Sequence, residues 1–243
     1  MEVHHHAHTS RKKWTHYFWE FFMLFLAVFC GFLAENQREH YVEHKQEKQY
    51  MKLMLEDIET DTAELQKCLT NIGNSLSNID SALLYLTGSG TDKTVAGSYR
   101  FSSVALQRFP IVFTDRTLTQ LKNSGRMRIV RSQKVMDALA NYWNHIEVIR
   151  ISLDRHAHYR SMGRDLEIRI FSLGKNYLND HKFMSNPKER VYPDTHNPGL
   201  VTEYANAYAY CGVVLEQVSV QLIQQYSLAT QLITLIKEEY HLE

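Results

Sequence analysis

Proline and glycine are scarce in this 243-residue chain, with 4 and 10 residues respectively. This scarcity disfavours a turn-rich β-sandwich and favours helices. The 3 cysteines are too few for a disulfide scaffold, and they match no zinc spacing. Net charge is also absent, since 27 basic residues balance 27 acidic ones. We therefore expect no nucleic-acid partner, because such proteins carry a basic face or a high pI.

Catalytic motifs are missing as well. The sequence contains no GxSxG, P-loop, GxGxxG or HExxH pattern. Hydrophobic residues make up 44% of the chain, which supports a packed core and excludes a wholly disordered protein. These observations predict a protein that is not an enzyme and that holds no cofactor or metal.

Only one long hydrophobic run occurs, at residues 17–34, and it reads YFWEFFMLFLAVFCGFLA. As a helix it rises about 27 Å, enough to cross the hydrocarbon core of a bilayer. Signal peptidase requires small residues, but Phe29 and Phe32 occupy the relevant positions. The run therefore predicts an uncleaved transmembrane anchor, with the lipid bilayer as the first partner.

The charges that flank the anchor predict its orientation. Arg11, Lys12 and Lys13 precede it directly, whereas the other flank mixes acidic and basic residues. We expect residues 1–16 to be a cytoplasmic tail and the remainder of the chain to be periplasmic. The tail is rich in histidine, with His4, His5, His6 and His8 close together. We interpret it as a mobile polar tail; a site for a transition metal is the alternative.

Glu20 is the one charged residue inside the anchor. An ionisable group within a membrane span is costly and by default suggests function, such as a proton relay or a contact with a partner helix. Glu20 lies only about one turn inside, where interfacial water is within reach. An interfacial or inter-helix contact is therefore favoured over ion coupling.

A long helix is predicted to continue beyond the anchor, because residues 32–72 contain no glycine or proline. Residues 35–50 are polar nearly all round and form a stalk. A heptad seam then begins, in which steps of four and three residues alternate. With Leu55 at position a, leucine dominates a and isoleucine dominates d, which favours a higher oligomer over a parallel dimer. Apart from Thr62, the residues of the seam are Met51, Leu55, Ile58, Leu65, Leu69, Ile72, Leu76, Ile79, Leu83 and Leu86. The sequence leaves open whether the seam packs within one chain or between chains.

Residues 51–243 are predicted to be a periplasmic helical bundle, with helices at 51–87, 114–124, 132–171 and 200–240. Thr114 is expected to cap the second of these, and the Asn197-Pro198 pair is expected to begin the last. The prediction is an all-α, antiparallel bundle or coiled coil in which the second long helix returns towards the membrane. The 88–113 loop then lies at the far tip, and the 173–200 connection lies near the anchor.

Three other features carry weaker predictions. His156 continues an apolar stripe and is interpreted as a core-edge histidine. The charged residues between Asp154 and Arg169 are interpreted as a solvated helix face with i,i+4 ion pairs. Cys68 and Cys211 are predicted on helices that run in the same direction, so a disulfide between them is an open alternative to ordinary packing.

Several segments together resemble an uncharacterised family of single-span inner-membrane proteins that is common in Bacteroidota and is defined by a domain of unknown function. They reach both ends and the middle of the chain: MEVHHH, EFFMLFLAVFCGFLAENQREH, QYMKLMLEDIETDTAEL, RTLTQLKNSGRMRIV and IKEEYHLE. The resemblance implies a bacterial inner-membrane location. It supplies no catalytic residues.

The leading hypothesis is a membrane-anchored, non-enzymatic helical protein that acts as a structural, assembly or interaction subunit. Its expected partner is a second copy of the chain or another membrane protein. The alternatives are an accessory sensor or regulatory subunit and a subunit of an ion-coupled transport complex that uses Glu20.

Overall fold

A computed structural model describes residues 14–88, 98, 101, 105–171 and 197–242. The helices are α1 (Trp14–Leu86), α2 (Arg116–Asn123), α3 (Gln133–Ile170) and α4 (Pro198–Tyr240), with a short 3₁₀ helix at Arg126–Ile129. The predicted all-α fold is confirmed, and its long N-terminal helix packs against later helices. The tail histidines and most of the 88–113 and 173–200 connections lie outside the described residues.

The chain divides into two compact units, Met1–Tyr50 and Met51–Glu243. In the first unit, α1 carries a segment that is long and apolar enough to cross a membrane, and 0% of it is buried. Aromatic side chains stack along this segment; the rings of Phe18 and Phe22 lie 6.3 Å apart and those of Phe25 and Phe29 5.9 Å apart. Complete exposure of so many apolar groups is typical of a surface that faces lipid.

In the second unit, the seam of α1 is buried within a single chain. The d positions are fully buried, whereas Leu69, Leu76 and Leu83 at a positions are only partly buried. The buried face also includes the g positions, which are Met54, Asp61, Cys68, Ser75 and Ala82. The buried face of α1 is therefore wider than the a and d positions and extends to the g positions. The g positions were not recognised as buried from the sequence, because two of them are the polar residues Asp61 and Ser75.

Helix α4 runs antiparallel to α1. Lys237 Nζ lies 3.3 Å from Glu59 Oε1, and Gln66 Nε2 donates to Tyr226 OH at 2.7 Å. Further along, a Cβ on Gly212 would lie 3.2 Å from the Ile79 side chain. Residue numbers in α4 thus fall as those in α1 rise, so the prediction that these two helices run in the same direction is wrong.

Helix α3 runs antiparallel to α4 and therefore parallel to α1. The backbone carbonyl of Tyr142 accepts a hydrogen bond from Gln225 Nε2, whereas near the other end of α3 the Phe171 ring packs edge-on against Tyr204. The prediction that the second long helix returns along the first is wrong. Residues 106–114 run back along α1 instead: Leu106 packs against Gly163, towards the C-terminal end of α3, whereas the Thr114 N–H donates to Asp61.

The expected position of the 173–200 connection stays a prediction, since residues 172–196 lie outside the described part of the chain. The start of α4 at Leu200 lies towards the C-terminal end of α1, because Gly212 packs on Ile79 in the antiparallel pair.

Asn197 caps α4 as the sequence predicts. Its Oδ1 accepts from the backbone N–H groups of Gly199 at 3.0 Å and Leu200 at 3.4 Å. We expect Asn197→Ala to lower the free energy of unfolding by about 1 kcal/mol, because these N–H groups lose their acceptor. Urea denaturation of the full chain in detergent, followed by helical circular dichroism, measures the change. Asn197→Asp keeps the acceptor and serves as the control; an alanine variant as stable as the parent contradicts the assignment.

Candidate functional site

Two buried aspartates of α1 form the centre of a polar network. Asp57 and Asp61 lie one turn apart and are 1% and 2% exposed. Asp57 accepts hydrogen bonds from Arg116 Nε at 2.5 Å and from the Thr117 backbone N–H at 3.1 Å. We call Asp57, Asp61, Arg116 and Tyr142 the polar junction.

Asp61 links the same region to α3. Its Oδ1 accepts from the Thr114 backbone N–H at 2.8 Å, and its Oδ2 accepts from Tyr142 OH at 2.6 Å. The two aspartates thus satisfy N–H groups in and just before the first turn of α2, which have no partner within their own helix. The predicted cap at Thr114 is wrong. Asp115 occupies the N-cap position without a side-chain bond, since α1 supplies the acceptors.

Burial governs the electrostatics of the junction. It raises the pKa of Asp61, and hydrogen bonds from Tyr142 and Thr114 oppose that rise. The pKa of Tyr142 is raised by burial and then by the neighbouring Asp61 carboxylate. Arg116 balances the charge of Asp57 in a salt bridge. This arrangement clamps α1, α2 and α3 together, and it contains no activated nucleophile.

The junction extends to α4 through His145. The His145 Nδ1 lies 2.8 Å from Gln225 Oε1, and Nε2 lies 2.9 Å from Gln221 Oε1. Gln225 in turn donates from Nε2 to the backbone carbonyl of Tyr142 at 3.2 Å. Polar contacts at one level therefore connect the described helices α1, α2, α3 and α4.

A cavity of about 550 Å³ opens beside the junction. It lies between residues 111–115, α2 and the middle of α3. Its lining includes Trp143, whose Nε1–H is buried and has no hydrogen-bond partner in the part of the chain that the structure describes. The other lining residues are Ile111, Val112, Phe113, Asp115, Leu118, Thr119, Lys122, Asn144, Ile146, Glu147, Ile149, Arg150 and Leu153.

Glu20 lies on the exposed apolar segment of α1, where its side chain is 59% exposed. Its Oε1 is 3.9 Å from His16 Nε2, one turn earlier on the same helix. The predicted intramembrane carboxylate thus has a titratable neighbour at the start of the anchor.

Cys68 and Cys211 are both free and buried. They lie on antiparallel helices, contrary to the prediction. Because Gly212 packs on Ile79, Cys211 lies about 12 residues beyond Cys68 along α1, or about 18 Å. A disulfide requires Cα atoms within about 7 Å, so the alternative of a bridge is excluded.

Cys211 instead contacts His156, which is 3% exposed; Sγ and Nε2 lie 3.4 Å apart. Burial raises the pKa of the Cys211 thiol to about 11. Burial and, secondarily, Arg160 lower the pKa of His156 to about 4. Both groups are therefore neutral near pH 7, and the pair is an unreactive packing contact because a reactive cysteine needs the thiolate.

The charged face of α3 differs from the prediction. Arg155, Arg160 and Arg164 form no ion pair with any residue that the structure describes, although i,i+4 pairs were the expected arrangement. Arg164 Nη2 donates instead to the Leu106 carbonyl at 3.2 Å. Burial, Arg108 and Arg164 lower the pKa of Arg160. Arg108, Arg160 and Arg164 therefore lie close enough to repel one another.

In comparisons with known proteins, no family model, no curated protein and no solved structure matches this chain. Among the described residues, no group of three or more histidine, cysteine or acidic side chains is arranged to hold a metal ion.

Proposed function

We propose that this protein is a membrane-anchored, non-enzymatic interaction subunit of the bacterial inner membrane, with residues 51–243 in the periplasm. The observation that carries the proposal is α1, which combines a wholly exposed apolar segment with a seam buried in a folded bundle. The basic residues Arg11, Lys12 and Lys13 support a cytoplasmic N-terminus.

The interaction surface we favour lies on α4. Tyr210, Val213, Val220 and Ile223 form an exposed apolar face, each 52–60% exposed. The d positions of the α1 seam are buried within the chain, which leaves little of the seam for self-association. A row of large apolar side chains on an extramembrane helix is typical of a protein interface, and we propose a second copy of the chain as its occupant.

A mass measurement tests this interface. We expect the full chain in detergent, measured by light scattering with the detergent subtracted, to have a multiple of the 28.5 kDa chain mass. The double variant Val220→Glu/Ile223→Glu should shift that mass to 28.5 kDa, because two carboxylates would be buried in the contact.

Ile151→Glu is the matched control, since Ile151 is a comparably exposed residue on α3. It should leave the mass unchanged. A parent protein that is already monomeric, or an α4 variant that keeps the parent mass, overturns self-association through α4.

The second candidate function is a regulatory subunit that responds to a small molecule, and the cavity beside the polar junction favours it. Its volume of about 550 Å³ lies in the range of small-molecule sites. The cavity adjoins the contacts that tie α2 and α3 to α1, and α1 is one continuous helix from Trp14 to Leu86. A ligand bound there would act on the same helix that carries the membrane segment.

A further inference from the structure

We infer that a groove between α3 and α4 binds a small organic cation of the alkylated-ammonium class. The groove has a volume of about 510 Å³, which lies in the range of small-molecule sites. It is separate from the cavity beside the polar junction, since the two share no lining residue. Three properties of its wall select this class of ligand.

The first property is a largely apolar wall. Met162 and Leu166 of α3 and Ala207 of α4 contribute aliphatic surface, and Tyr159 and Tyr210 contribute aromatic rings. Met162 is 44% exposed and Tyr210 is 58% exposed, so part of this apolar surface is open to solvent. A ligand that removes such surface from water gains free energy. The wall therefore selects a ligand with an apolar outer shell.

The second property is a pair of stacked tyrosines. The rings of Tyr159 on α3 and Tyr210 on α4 lie 5.0 Å apart at an interplanar angle of 30°. Because each ring limits the motion of the other, the aromatic surface is preorganised. The face of an aromatic ring attracts a cation, and alkylated ammonium ions combine a positive charge with an apolar shell.

The third property is charge of one sign. Asp165 on α3 and Glu203 on α4 line the groove and are exposed, whereas no described lysine, arginine or histidine lines it. Neither carboxylate forms an ion pair with a residue in the described ranges. Arg164, the neighbour of Asp165 in sequence, donates to the Leu106 carbonyl instead. The groove therefore favours a cation over a neutral or anionic ligand.

The test uses choline as the probe and the full chain in an uncharged maltoside detergent. Saturation transfer from the protein to the choline methyl protons, measured by NMR and corrected for empty micelles, should show saturable binding. The alcohol 3,3-dimethylbutan-1-ol has the same shape but carbon in place of nitrogen, and it should bind about tenfold more weakly. Equal affinity for the two compounds, or no saturable binding of choline, overturns the assigned ligand class.

Phosphocholine distinguishes a free cation from a lipid headgroup. Its phosphate would be repelled by Asp165 and Glu203, so it should bind more weakly than choline. Equal or tighter binding of phosphocholine overturns the assignment of a free cation.

The double variant Asp165→Asn/Glu203→Gln tests the carboxylates, because it keeps their size and removes their charge. We expect the affinity for choline to fall about tenfold. The matched control is Asp154→Asn/Glu238→Gln, which removes one exposed carboxylate outside the groove from each of the same helices. It should leave the affinity unchanged. An equal fall in both double variants, or no fall in the first, overturns the role of Asp165 and Glu203.

Tyr159→Leu tests the aromatic pair, and the affinity should fall about fivefold. Tyr159→Phe keeps the ring and should retain the parent affinity. Tyr210→Leu replaces the more exposed ring and serves where Tyr159→Leu fails to fold. Binding that leucine leaves unchanged, or that phenylalanine abolishes, overturns the aromatic contribution.

Tyr210 also belongs to the exposed face of α4 that we propose for self-association. Choline binding is therefore also measured in Val220→Glu/Ile223→Glu, which should keep the parent affinity because the groove lies within one chain. Loss of binding in this variant would show that a second copy completes the site, and it overturns a site within one chain. A monomeric parent that binds choline refutes self-association only.

Discussion

Replacing Asp61 with alanine should lower the free energy of unfolding by about 3 kcal/mol, one of the two largest effects that we expect. The change removes the acceptor of two hydrogen bonds, from Tyr142 OH and from the Thr114 N–H. Each donor is then left in a buried position without a partner, at a cost of about 1–3 kcal/mol. Urea denaturation of the full chain in detergent gives the value.

A double-mutant cycle distinguishes this mechanism from general loss of packing. Tyr142→Phe removes one donor, so Asp61→Ala should cost less in that background than in the parent protein. Asp80→Ala, an exposed aspartate on the same helix, should change stability by less than about 0.5 kcal/mol. Additive effects of Asp61→Ala and Tyr142→Phe would show that the two side chains are not coupled.

Acidification should destabilise the protein through His156. The folded-state pKa of His156 is lowered to about 4 from the ordinary value of 6.5, so the unfolded chain binds the proton more tightly. Stability is therefore intact above about pH 6.5 and is lost as the pH falls towards 4. The contribution of this residue reaches about 3 kcal/mol, since one pKa unit corresponds to about 1.4 kcal/mol.

The groups around His156 explain why its pKa is lowered. Phe109 packs against the ring at 5.5 Å, Cys211 Sγ lies at 3.4 Å, and Arg160 contributes a like charge that opposes protonation. Asp61 partly offsets this loss of stability: its pKa is raised, so the folded chain binds this proton more tightly than the unfolded chain does. Comparing the parent and the variants at the same pH removes the contribution of Asp61 and other titrating groups.

His156→Gln should flatten the dependence of unfolding free energy on pH between 6.5 and 4.5, by about 1 kcal/mol per pH unit on average. His158→Gln provides the control, since His158 is exposed on the same helix. Denaturation curves at pH 6.5, 5.5 and 4.5 supply the slopes. If His156→Gln keeps the slope of the parent, the histidine is not the source of the acid sensitivity.

The helices were predictable because their signals are local. Heptad spacing identified the buried d positions of α1, and the Asn197-Pro198 pair identified the start of α4. The direction of α3 was not predictable, because its apolar stripe fits a parallel and an antiparallel neighbour equally well. That direction depends on how the preceding segment returns to Asp57 and Asp61, through hydrogen bonds that span 53 to 60 residues.

The candidate site was missed for a related reason. Asp57 and Asp61 look like ordinary surface acids of a polar helix face, and no short motif includes their partners. The one available signal was the pair of acids one turn apart beside Thr62, the polar break in the seam. Trp143 gave no signal, because only the folded chain shows that its donor lacks an acceptor.

The long contacts of α1 have a consequence for biosynthesis. Gln66 meets Tyr226 across 160 residues of sequence, so the first helix emerges from the ribosome well before its partner in α4 exists. At about 5–20 residues per second, that interval lasts roughly 8–32 s. During this time the apolar stripe of α1 is uncovered, while the exposed apolar segment at residues 17–34 is already complete. Under the proposed topology, the anchor therefore inserts before the second unit can fold.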